Sequence, residues 1–73
     1  MRRAIIWHSL CQQGNNNTLA HKALIACNQA IAQDPTNGEF RASRGVIRSL
    51  IGDEAGAIAD FEFYTQWLEE EGR

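Results

Sequence analysis

Two histidines and two cysteines in the first half of the chain, His8, Cys11, His21 and Cys27, are the residues best equipped for chemistry. Four such side chains could hold zinc, which takes thiolate sulfur and imidazole nitrogen in a tetrahedron. Their spacing argues against it. His8 to Cys11 is a step of three and His21 to Cys27 a step of six, and six residues turn about 240° round a helix. Neither step is that of a zinc finger. Buried free cysteine behaves as a small hydrophobe, and that is the reading for both thiols. Ser9, Ser43 and Ser49 lack the glycine-rich elbow that exposes a nucleophile, and no phosphate loop or dinucleotide fingerprint occurs. Glu69-Glu70-Glu71 offers neighbouring carboxylates, but at the negative end of a helix dipole it reads as a solvated helix end rather than an acid–base pair. These residues predict no catalytic site, no metal and no cofactor.

The elements that carry them are helices. Alanine (ten), isoleucine (seven) and leucine (five) dominate, and Val46 is the single valine. That composition favours helix over strand. Gly14-Asn15-Asn16-Asn17, Asp34-Pro35-Thr36-Asn37-Gly38 and Gly52-Asp53 are the breaks. They leave four helical segments, at about 2–13, 19–33, 37–51 and 54–71. Thr18 or Asn17 would cap the second, Thr36 with Glu39 would form a capping box on the third, and Asp53 would cap the fourth. Ala20, Ala23, Leu24, Cys27, Ala30 and Ile31 share one face of the second helix. Ala57, Ile58, Phe61, Tyr64, Thr65 and Leu68 form the expected buried stripe of the fourth. Nothing alternates with period two, so no sheet is expected.

Seventy-three residues form one small domain. No apolar run reaches membrane-spanning or signal-peptide length, which predicts a cytoplasmic chain with no membrane partner. That compartment disfavours a disulfide. The net charge of −2 is unevenly spread. Residues 1–33 carry Arg2, Arg3 and Lys22 and no acid, for +3; residues 53–73 carry seven acids against Arg73, for −6. The acidic end argues against a nucleic-acid partner. The opposed ends either solvate separately or meet a charged neighbour.

A 34-residue period runs through this pattern. Trp7-x2-Leu10, Ala23, Ala30 and Asp34-Pro35 fall where the tetratricopeptide repeat places its opening pair, its alanines and its closing proline. Steps of 34 lead from Cys11 to Gly45, from Ala23 to Ala57 and from Cys27 to Phe61. The chain thus resembles two tetratricopeptide repeats, about 4–37 and 38–71. The second departs from the pattern with Arg41, Arg44 and Arg48 at its large apolar positions and Glu69 at its closing proline. The stretches Ser43-Arg44-Gly45, Leu50-x-Gly52-Asp53 and Gly56-Ala57-Ile58-x-Asp60-Phe61 further resemble a C-terminal repeat pair of large bacterial signalling proteins, which would make this an accessory module.

The resemblance implies an all-α fold: two helix-turn-helix hairpins in a short right-handed solenoid of four helices, with Ala57 packed against Gly45. It implies a non-catalytic module that binds a protein or peptide in a groove lined by the first helix of each repeat. Ile5, His8, Gln12, Glu39, Ala42, Ser43, Val46 and Ser49 would line it. Arg44, at an apolar position of the pattern, would need Asp60 on the facing helix as a structural ion pair. Phe63 and Trp67 lie about 120–160° round the last helix from Phe61 and form a second apolar strip. Left exposed, that strip would mark self-association into a homo-oligomer, or a place for a further repeat.

Overall fold

The computed structural model describes Cys11 and residues 20–71. Three helices occur among them: α1 (Ala20–Gln33), α2 (Gly38–Leu50) and α3 (Glu54–Glu70), with no strand. The expectation of four helices in two hairpins is thereby corrected to three. Of the segment expected to form a first helix, Cys11 alone is described, in helical conformation; the rest, and the caps expected at Asn17 and Thr18, lie outside the described residues. Helix α2 packs against α1 on one flank and α3 on the other. The unit is therefore a central helix with two neighbours.

Each boundary has a local cause. Asn37, not Thr36, caps α2: its side-chain oxygen accepts from the Glu39 N–H at 3.0 Å. Its Nδ2 donates to Asp34 Oδ2 at 3.3 Å, which holds the Pro35 turn closed. At the other end Gly52 adopts φ +91°, a conformation that costs glycine little. The Gly52 N–H donates to the Ser49 carbonyl and the Asp53 N–H to the Arg48 carbonyl, at 3.2 and 2.7 Å. This pair of bonds is the Schellman motif, which satisfies the last carbonyls of α2. Asp53 then starts α3, its carboxylate accepting from the Gly56 N–H at 3.0 Å. One residue thus closes one helix and opens the next.

The apolar core lies on the α1 flank. Ala20, Ala23, Ala26, Cys27, Ala30 and Ile31 of α1 cluster with Phe40 and Ile47 of α2 and with Cys11. Small alanine side chains let the two backbones approach, and Phe40 and Ile47 fill the space between. Cys11 and Cys27 are both fully buried, as expected of core residues, but they are not free thiols: they form a disulfide across 16 residues of sequence. The free-thiol reading rested on an assumed compartment; the packing places the two Cα atoms 4.5 Å apart, within bonding reach.

Helix α3 contributes little to that core. Ala57 and Asp60 are its only buried residues. Ile58 and Phe61, expected inside, are 58% and 38% exposed. The buried face of the helix is turned from the expected stripe toward Ala57 and Asp60, and two of its aromatics lie over glycines of α2. A Cβ on Gly45 would fall 2.7 Å from the Phe61 ring, and one on Gly38 2.5 Å from the Trp67 indole. The small residue at Gly45 thus receives the edge of Phe61.

Candidate interaction surface

Helix α2 carries Arg41, Arg44 and Arg48 at spacings of three and four, one stripe that faces α3. At its centre is Asp60, 1% exposed. Arg44 grips this carboxylate in bidentate fashion, Nε to Oδ2 at 2.9 Å and Nη2 to Oδ1 at 2.8 Å. Its remaining Nη1 donates to Asn28 Oδ1 on α1 at 2.8 Å. A single guanidinium thus ties all three helices. Arg48 adds a second clamp, Nη1 to Asp60 Oδ2 at 3.1 Å, and reaches Asp53 at 3.6 Å and the Gly56 carbonyl at 3.4 Å. Both oxygens of Asp60 accept hydrogen bonds, one at Oδ1 and two at Oδ2, as a buried carboxylate requires.

Arg41 is the member without a carboxylate contact. Its guanidinium lies over the Phe63 ring, 4.2 Å from the centroid. Its Nε is buried without a hydrogen-bond partner. Burial, then the neighbouring Arg44 charge, holds its pKa below the usual arginine value, while Asp60 pulls the other way. The stripe is therefore a structural device, paired at Asp60 and short of a hydrogen-bond partner at Arg41 Nε.

The described sequence-predicted residues fall on α2 and α3. Arg44 and Asp60 meet as an ion pair. The spacing of Arg44 and Arg48 by one turn, which puts both over the same carboxylate, was the unused signal for the second clamp. Asn28 carried none, since its role depends on the helix crossing. Phe63 and Trp67 are half-buried rather than a wet strip: Phe63 lies beneath Arg41, and Trp67 covers Gly38 and stacks on Tyr64 at 6.0 Å between centroids. Of the groove residues, Glu39, Ala42, Ser43, Val46 and Ser49 share a stripe of α2, with Glu39, Val46 and Ser49 exposed and Ala42 and Ser43 half-buried. Ile5, His8 and Gln12 lie outside the described residues.

Among the described residues, two concavities stand out. One, of about 610 Å³, lies between the α1–α2 loop and the C-terminal half of α3 and includes Phe63 and Trp67 in its lining. The other, of about 450 Å³, runs along α3 past Ile58 and Phe61. Among the described residues no three of His, Cys, Asp and Glu converge as a metal site would need, and no helix is long and apolar enough to cross a membrane. No family model, no curated protein and no solved structure matches the chain.

Proposed function

We propose that the chain is a non-catalytic protein-interaction module of tetratricopeptide type, which binds a peptide or partner helix along the outward stripe of α2. One observation carries the reading. Two faces of α2 are consumed by α1 and α3, while Glu39, Ala42, Ser43, Val46 and Ser49 form a third stripe of mixed apolar and polar character, with Val46 40% exposed. Peptide grooves have this composition: an apolar contact with a few polar groups that fix register. The Gly45–Phe61 contact supports a repeat-like α2–α3 hairpin, since both residues hold the positions that the repeat gives to glycine and phenylalanine. No nucleic acid, membrane or cofactor belongs to this reading.

Selection of random displayed peptides on the full chain, followed by amide shift mapping, tests it. Shifts confined to Ala42, Val46 and Ser49, and abolished by Val46→Lys, are expected. Shifts on α3 alone would overturn the groove.

A second reading, an assembly element or accessory module of a larger signalling chain, is favoured by the exposed apolar residues Ile58 and Phe61 on α3. Such surface is commonly an interface. A cytoplasmic placement would require Cys11 and Cys27 reduced, because disulfides persist in oxidising compartments. Two free thiols on rapid alkylation of freshly isolated protein would fit it; none would place the chain in an oxidising compartment.

A further inference from the structure

The cations of α2 are directed inward, Arg44 and Arg48 to Asp60 and Arg41 over Phe63. Lys22, exposed on α1, is the other described lysine or arginine. Arg2 and Arg3 precede it in sequence, and residues 1–33 contain no acid. The cleft of about 610 Å³ at the far flank has the opposite character. Phe63, Trp67 and Pro35 give it apolar walls, Asp34, Glu70 and Glu71 give it carboxylates, and no basic side chain is among the described residues that line it. Trp67 is held against Gly38 and Tyr64, and Phe63 against Arg41, so both walls are fixed before anything binds.

Aromatic walls beneath carboxylates suit a side chain with an apolar stem and a cationic head. Met1-Arg2-Arg3-Ala4-Ile5-Ile6 offers two such side chains next to apolar residues. The Cys11–Cys27 bond tethers the chain to α1, whereas the aromatic walls stand on α3, across α2. We propose that this cleft is a docking site for the basic N-terminal segment of a second copy of the chain, giving head-to-tail association. The proposal deepens the assembly reading above and rests on it. Cleft and segment are different surfaces, so the contact is heterologous and leaves one free cleft and one free segment at the ends of every assembly.

That geometry has a distinctive test by sedimentation of the full chain at low salt. A cleft variant, Glu70→Gln with Glu71→Gln, and a segment variant, Arg2→Gln with Arg3→Gln, each remove two charges. The parent mass should rise with concentration beyond a dimer. Each variant alone should associate at least tenfold more weakly. Their equimolar mixture retains one intact cleft and one intact segment per pair, and should stop at a dimer. A parent that associates while both variants associate equally well would overturn the cleft and leave the assembly reading standing. A parent that stays monomeric, including one whose segment occupies its own cleft, would overturn both.

Discussion

Toward α1, helix α2 presents Phe40 and Ile47 to a bed of alanines; toward α3 it presents three arginines and two glycines. The first interface is held by burial of apolar area, which is non-directional and tolerant of small shifts. The second is held by a carboxylate clamped between guanidiniums and by two rings seated on glycines, arrangements that admit one register. Helix α3 fully buries only Ala57 and Asp60, so the clamp and the seated rings are what keep it in place. The difference teaches that a domain too small for two apolar interfaces can join its third helix by a polar clamp instead.

The comparison breaks most sharply in the apolar half. Ile47 is fully buried, and Ile47→Ala should cost about 3 kcal/mol, the middle of the range for a deleted aliphatic core side chain. Chemical denaturation reads this directly, and a loss below 1 kcal/mol would mean that the α1 flank collapses around the gap. In the polar half, Asp60→Asn keeps the shape and removes the charge. Its cost should be about 2–3 kcal/mol, below the usual figure for a broken buried pair because the Arg44 and Arg48 side chains are 13% and 25% exposed. An unchanged melting temperature would show that water replaces the clamp.

Smaller effects sharpen the same contrast. Gly45→Ala pushes a Cβ to 2.7 Å from the Phe61 ring. Phe61 is 38% exposed and can swing outward, so the expected loss is about 1–2 kcal/mol, with Phe61 becoming more accessible to solvent. A stabilised variant would mean that the ring does not need the glycine. Arg41→Met should stay within about 0.5 kcal/mol of the parent in thermal melts. It gives up the contact with Phe63 but also removes an orphaned buried Nε and a like charge beside Arg44.

How much of this was legible in sequence follows from the physics of each part. The boundaries at Gln33 and Glu54 were legible, and those at Gly38 and Leu50 legible to within one residue, because Pro35, Gly52 and Asp53 act locally. The α1 face was legible because its small and apolar residues recur at helical spacing. The face of α3 was not, because Ile58, Phe61, Phe63, Tyr64, Trp67 and Leu68 surround the helix with apolar side chains and no period stands out. The glycines that receive Trp67 and Phe61, Gly38 and Gly45, stand on another helix, and sequence spacing within α3 carries no trace of them. The Arg44–Asp60 pair was legible through an arginine at an apolar position; Asn28 was not, since its contact exists only once α1 crosses α2. The disulfide was hidden by an assumed compartment, not by the spacing of its cysteines.

The central claim is that Arg44 and Asp60 act as one unit that fastens α3 to α2. A double-mutant cycle measures it most directly, with Arg44→Met, Asp60→Leu and the pair compared by equilibrium denaturation. Removing either partner alone strands a charge at the interface; removing both leaves two apolar side chains that can pack. The singles should therefore cost more in sum than the double, with a coupling of about 2 kcal/mol. Losses that add to within about 0.5 kcal/mol would show that the two residues stabilise the fold independently, and would contradict the claim.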